Sequence, residues 1–390
     1  MAREHRNISG DSHLEIPCDF WTPRVPEKYR DRAPRRIKLP AGGDGFVGEG
    51  APLIYGGTGH FAGVTPEEFD PLALDFDTAV GSGGPEQRIK ELDADALDAE
   101  VLFPSPTANR VYRNIRDHDA YVAVIRAYND YLAEDFCSYA PDRFFGVAIL
   151  PDRGVDDDID EMEHCRKLGL KSMVLSTFPS GKPYPTAEDD RFWAAAIDMD
   201  TLVTVHTQMT HPRAGQPHFD YAKKPVGEQM PPNDYIDKLY RHGQGHCGAM
   251  EAVQMAAFGI FERFPKLQVY WAENQIGWLP FYYEQMDLAW EVNHFWAERI
   301  MGVPKLPRRP SEYIREHAYW GFFEDPIGLK LRNEIGVDRI IWSSDFPHET
   351  TKWPNSLEVV DEQMEAAGVT PDERHKIMAA NMLQLLGIGE

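Results

Sequence analysis

The sequence predicts an α/β fold, a (β/α)8 TIM barrel with a long insertion after its first strand and a C-terminal helix. Three observations predict it. Short β-branched or aromatic runs alternate with amphipathic stretches beyond residue 85, eight such runs can be counted once one near the N-terminus is included, and several end in a polar residue able to do chemistry. In a barrel of this kind catalytic groups sit at the carboxyl ends of the strands.

The expected strands are Ile8–Asp11, Glu100–Phe103, Phe144–Leu150, Ser172–Leu175, Leu202–His206, Leu267–Ala272, Ala318–Gly321 and Arg339–Ser343. Between them Tyr121, Val124, Ile125, Tyr128 and Leu132 recur with the spacing of one helix face, and Ala252 to Phe264 reads likewise. Thr370, Pro371 and Glu373 supply an N-cap, a first-turn proline and a capping-box carboxylate, opening a helix that stops near Gly387 and is expected to seal the barrel wall. Residues 22–84, rich in Gly and Pro, and residues 207–245 break the rhythm. Connections of that length are uncommon unless functional, so both are read as lids or subunit-contact arms of a single domain spanning residues 1–390.

Composition narrows the partners. A formal net charge of −23 argues against nucleic acid and against an anionic membrane surface, leaving a small-molecule substrate. The opening MAREHRNISGDSH has no apolar core of the signal-peptide kind, and no stretch approaches the roughly 20 apolar residues that cross a bilayer, so a cytoplasmic protein is expected. Cys18, Cys137, Cys165 and Cys247 are widely spaced, which suggests reduced thiols rather than disulfides or a thiolate zinc site.

The residues that could carry chemistry end apolar runs. Asp11 and His13 stand two apart in ISGDSHLEIP, so strand alternation puts both on one face. His206 closes TLVTVH, Asp345 closes RIIWSSD, and Glu273 follows LQVYWA. Singly, each has a plain structural reading: a cap, a core histidine, a partner for an arginine. Gathered at one barrel mouth, they read as metal ligands, because a buried carboxylate needs a compensating cation. Two imidazoles with two or three carboxylates can hold Zn, Mn or Fe, activating bound water and polarising a substrate oxygen. Asp345, Glu273 and His348 are the candidate proton carriers, although His348 reads equally as a loop histidine. Trp21, Trp278, Phe346 and Trp353 flank strand ends, where core packing is expected ahead of pocket lining.

DSHLEIP, LDADALDAEVLFPS, YNDYLAEDFCSYAPDRFFGVAILP, FGIFERFPKLQVYWAENQIGWLPFYYEQMD and WSSDFPHETTKWPNS resemble, in order and spacing, the amidohydrolase-2 family, barrel hydrolases and decarboxylases related to aminocarboxymuconate-semialdehyde decarboxylase. Only residues 22–84 and 207–245 fall outside the resemblance. It implies that Asp11 and His13 stand in the place of the family's first-strand HxH, that His206 and Asp345 are the fifth- and last-strand ligands, and that Glu273 replaces a histidine outside the ligand set. Zinc is the divalent metal it implies, with manganese or iron as alternatives for so acidic a site. Many relatives carry a glutamate just before the proline of the first motif; here Ile16 stands there and Glu15 one earlier, and since neighbouring strand residues face opposite ways Glu15 is a less secure ligand.

These features predict a metal-dependent hydrolase or non-oxidative decarboxylase acting on a small carboxylated or aromatic compound. An Mn- or Fe-dependent oxygenase with a dinuclear centre, and a silent barrel partnering an active paralogue, are the alternative readings. A homodimer is the default assembly.

Overall fold

The computed structural model of the chain describes residues 4–51, 53–56, 59–70, 72–105, 112–209 and 248–389. Most of the connection expected at residues 207–245, and Cys247 with it, therefore lies outside the described residues. The strands, in chain order, are β1 (Ile8–Leu14), β2 (Arg35–Lys38), β3 (Asp44–Val47), β4 (Ile54–Tyr55), β5 (Ala99–Pro104), β6 (Phe144–Ile149), β7 (Ser172–Val174), β8 (Leu202–His206), β9 (Val269–Ala272), β10 (Ala318–Phe322) and β11 (Ile340–Trp342). Eight of them form one sheet in the order β1-β5-β6-β7-β8-β9-β10-β11, with every neighbouring pair parallel.

The sheet curls into a nearly closed barrel. Ser12 on β1 bridges Phe346 in parallel, the Asp345 amide donates to the Asp11 carbonyl at 3.0 Å, and the His13 amide donates to the Phe346 carbonyl at 2.7 Å. Closure thus falls on the two segments that carry most of the candidate site. β1 also runs to Leu14, three residues beyond the expected end, because its register against β5 shifts between Ser9 and Ser12. That bulge re-aims the strand at Asp11.

Side chains that alternate inward fill the barrel: Val101, Phe103, Val147, Val174, Leu202, Tyr270, Tyr319 and Ile341 pack together. Beneath them Ala379, Met382, Leu383 and Leu386 of the C-terminal segment join the same cluster. Asn381 donates to the Ile340 carbonyl at 2.8 Å, and Lys171, just before β7, donates to the Leu386 carbonyl at 3.0 Å. The last helix therefore plugs the floor of the barrel at the strands' amino ends, not the wall as expected. Its start is as read: the Glu373 amide donates to the Thr370 hydroxyl at 3.3 Å and the Thr370 amide to the Glu373 carboxylate at 2.8 Å. Outward-facing strand residues bury a second core against helices such as His118–Tyr131.

The insertion holds more order than the lid reading allowed. β2, β3 and β4 form an antiparallel sheet, and Phe46 meets Phe76 edge-on with ring centroids 5.4 Å apart. The buried Asp44 carboxylate accepts from the Phe76 amide at 2.8 Å. Further on, the Phe61 and Ala62 amides both donate to the Pro347 carbonyl, at 2.9 and 3.1 Å, and His60 bridges His348. The insertion braces the strap that follows Asp345.

Of the aromatics near strand ends, Trp21 is buried against Tyr128, Trp278 packs on Trp320, Trp353 donates to the Glu91 carbonyl and Phe346 lies under Arg88. All four pack. Cys18, Cys137 and Cys165 are buried free thiols.

Candidate metal centre

All the residues expected at the site meet at the carboxyl end of the barrel. His206 ends β8 on the inner face, two and four residues beyond Thr204 and Leu202. Glu273 and Asp345 follow β9 and β11 directly or closely, and both adopt positive φ, at 56° and 51°. Thr207 does the same after His206, at 54°. Left-handed backbone at a non-glycine residue costs about 1 kcal/mol or more and persists where its surroundings over-determine it. Three such turns at three strand exits aim side chains inward instead of letting the chain leave smoothly.

The donor atoms are close. His13 Nε2 lies 3.5 Å from Asp11 Oδ1, 3.3 Å from Asp345 Oδ1 and 3.1 Å from His206 Nε2. His206 Nε2 is 3.4 Å from Asp11 Oδ2 and 3.4 Å from Glu273 Oε2. His348 stacks on His13 with ring centroids 3.8 Å apart and sets Nδ1 3.2 Å from Asp345 Oδ1. Asp11 is 0% exposed, yet neither of its carboxylate oxygens accepts a hydrogen bond from the described residues, and the same holds for Asp345 Oδ1. Buried carboxylate oxygens are rarely left so, and a divalent cation among them supplies the missing partner. The donor set fits a metal ion.

Electrostatics in the ion-free centre are strongly divided. Burial, with the charge of Asp345 behind it, raises Glu273 to about 8. Burial alone would lower His206, but Asp11 beside it overrides this and lifts it to about 9. His13 is lowered by burial and by the neighbouring His348. Burial opposes the ionisation of Asp345, yet His348 and His13 hold it well below the usual carboxylate range. His348 is raised by Asp345 and Glu15 against the pull of burial. Carboxyl groups pushed apart in this way mark an acid–base site.

Sequence reasoning missed part of the support. Glu15, read as a less secure ligand, is buried beside the site: it lies 3.1 Å from His348 Nε2 and accepts from the Ser105 hydroxyl at 2.6 Å. Burial would raise it, but His348 and Ser105 bring it down to about 2. Comparison with position 16 alone hid this, whereas Glu15 stands two residues beyond His13, in step with the Asp11 and His13 face, just past the end of β1 at Leu14. Thr350 donates to Asp345 Oδ2, and the hydroxyls of Ser9, Ser12 and Ser344 interlink beneath β1. Nothing in the sequence around these hydroxyls set them apart.

A parallel barrel with this mouth defines a metal-dependent (β/α)8 enzyme. The amidohydrolase family profile matches residues 18–388, and the chain belongs to that family. Asp11 and His13 lie just ahead of the matched span. Among characterised relatives, the gamma-resorcylate decarboxylase of Rhizobium sp. strain MTP-10005 is 24% identical over 305 residues, covering 74% of this chain and 85% of its own. An amidohydrolase from Mycobacterium avium subsp. paratuberculosis superposes with a TM-score of 0.69 at 19% identity, over 100% of this chain and 99% of that one. A 5-carboxyvanillate decarboxylase from Novosphingobium aromaticivorans, solved with manganese and 4-hydroxy-3-methoxy-5-nitrobenzoic acid, gives 0.64 at 17% identity over 98% and 96%. No helix among the described residues is long and apolar enough to cross a membrane.

Proposed function

We propose that the protein is a non-oxidative decarboxylase of a small aromatic carboxylic acid, working with a divalent metal held by Asp11, His13, His206 and Asp345. The observation that carries the reading is the set of buried, hydrogen-bond-free oxygens of Asp11 and Asp345 facing two imidazoles. Manganese, bound by the Novosphingobium relative, suits a centre built on the Asp11 and Asp345 carboxylates better than zinc, the metal first expected. When bound, such an ion orients the substrate's carboxylate and phenolic oxygens and stabilises charge on them.

The chain's own groups do the proton work. Glu273 is the most open of the acids, its side chain 28% exposed, so it is the one that reaches a substrate in the mouth. Set at the open side of the centre, it is the acid placed to deliver a proton to the ring carbon that bears the carboxylate. The bond to that carboxylate then breaks, its electron pair restores the aromatic ring, and CO2 leaves. His348, paired with Asp345 and Glu15, holds the proton that recharges the acid.

The test is CO2 release from gamma-resorcylate and 5-carboxyvanillate by the manganese-loaded protein. Glu273→Gln is expected to lower kcat by about 10²- to 10⁴-fold while keeping its manganese. Unchanged kcat in that variant removes Glu273 from the role; no CO2 from a panel of hydroxybenzoates removes the reaction.

A further inference from the structure

One buried side chain touches both of the strand exits that carry His206 and Glu273. Asn274 is 0% exposed, and its carboxamide makes three hydrogen bonds. Nδ2 donates to the Ala272 carbonyl at 2.8 Å and to the Thr207 carbonyl at 3.0 Å, while Oδ1 accepts from the Gly248 amide at 2.7 Å. The first carbonyl belongs to the residue before Glu273, the second to the residue after His206. The two side chains tied in this way meet, with His206 Nε2 3.4 Å from Glu273 Oε2. The partners fix which way the amide points, because carbonyls only accept and an N–H only donates. They also fix the residue type: aspartate has a similar outline but no proton to give, and leucine has neither donor nor acceptor.

We propose that Asn274 is a positioning residue whose carboxamide holds His206 as a ligand and Glu273 as a proton donor at a set distance from each other; this rests on the reading of those two residues as ligand and acid. The left-handed turns at Thr207 and Glu273 need surroundings that hold them, and the carboxamide spans both. Glycines admit it on two sides. A Cβ on Gly248 would lie 2.3 Å from the Trp271 ring and 3.0 Å from Asn274 Oδ1. One on Gly321, whose carbonyl accepts from the Asn274 amide at 3.0 Å, would lie 3.2 Å from the Glu273 nitrogen. Asp325 grips the same turn from its far end, accepting from the Ile276 and Gly277 amides at 2.7 and 2.6 Å. Among the described residues it makes no bond to β8, so it braces the acid alone. A buried amide that only satisfied two carbonyls would contribute stability and nothing else. One that spans a ligand and an acid governs metal affinity and turnover together.

The experiment uses the full chain, stripped by chelation and titrated with Mn²⁺. Affinity and the EPR spectrum of the bound ion are recorded, and CO2 release from gamma-resorcylate is measured at saturating Mn²⁺. Asn274→Leu is expected to bind manganese about 10- to 100-fold more weakly, with an altered spectrum, and to lose about 10²-fold in kcat. Asp325→Asn is expected to lose about 10-fold in kcat and to keep the affinity and spectrum of the unaltered chain. Leu383→Ala, in the plug of the barrel floor, is expected to lower the denaturation midpoint and to move none of the three. Asn274→Leu with unaltered affinity and spectrum overturns the proposal. An equal fall of affinity in Leu383→Ala overturns it too, by tracing the effect to lost stability. If Asn274→Leu fails to fold, Asn274→Ala, whose smaller side chain lets water reach the two carbonyls, takes its place under the same criteria. Manganese binding without CO2 release by the unaltered chain removes the decarboxylase reading, and the affinities and spectra still decide for or against Asn274.

Discussion

His60 shows how one side chain ties the insertion to the site. Its ring is buried, Nε2 lies 2.5 Å from the Val80 carbonyl, and its backbone bridges His348. Burial lowers its pKa to about 4, only partly offset by Glu15. A histidine depressed when folded contributes stability that is fully present above its unfolded value near 6.5 and is lost as pH falls toward 4. Over that window the loss amounts to about 3 kcal/mol. His60→Gln should therefore flatten the acid limb of a urea-midpoint profile between pH 6.5 and 4 and leave the profile above pH 7 nearly parallel to that of the unaltered chain. An unchanged acid limb would show that His60 charges as freely in the folded chain as in the unfolded one.

At the scale of elements, the helix Pro85–Ala94 fixes the strap that carries Asp345. Arg88 on that helix forms a two-pronged pair with Glu100 of β5, at 2.7 and 2.8 Å, and its guanidinium lies 4.4 Å over the Phe346 ring. Arg88→Met leaves the Glu100 carboxylate buried without its partner. The expected cost is about 3–5 kcal/mol, read as a lower denaturation midpoint, with a loss of activity as Phe346 loosens beside Asp345. Elements of this kind were unevenly legible. The eight barrel strands stood out as apolar runs between amphipathic ones, and Asp11, His13, His206, Glu273 and Asp345 stood out because each ends or follows such a run. β2 and β3 did not: RRIK is largely exposed and DGFV is short and opens with Asp and Gly, so their order comes from Phe46 on Phe76 and from the buried Asp44, contacts distant in sequence. Glu15 escaped for a related reason, since His348, which pairs with it, lies more than 300 residues on.

The whole molecule separates its tasks between the two ends of the barrel. The mouth carries the acids and imidazoles; the floor is plugged by Met382, Leu383 and Leu386 among strand residues such as Val101 and Ile341. Leu383→Ala opens a cavity in that plug, at an expected cost of about 2–5 kcal/mol. Manganese bound per chain should stay unchanged at a temperature where the variant is folded, because the cavity lies a strand's length from the donors. Metal loss in the folded variant would mean that the two ends are coupled through the barrel.

The three left-handed strand exits at Thr207, Glu273 and Asp345 also say something about how the chain would drift if its activity were no longer selected. Glycine adopts that backbone at little cost, so at Glu273 and Asp345 losing the functional side chain makes the fold easier to keep. In the metal-free state Asp345→Gly is expected to melt higher than Asp345→Asn, since only the first removes both the strain and the crowding of buried carboxylates. A lineage freed from catalysis would lose these acids early, by substitutions that look neutral or beneficial to stability.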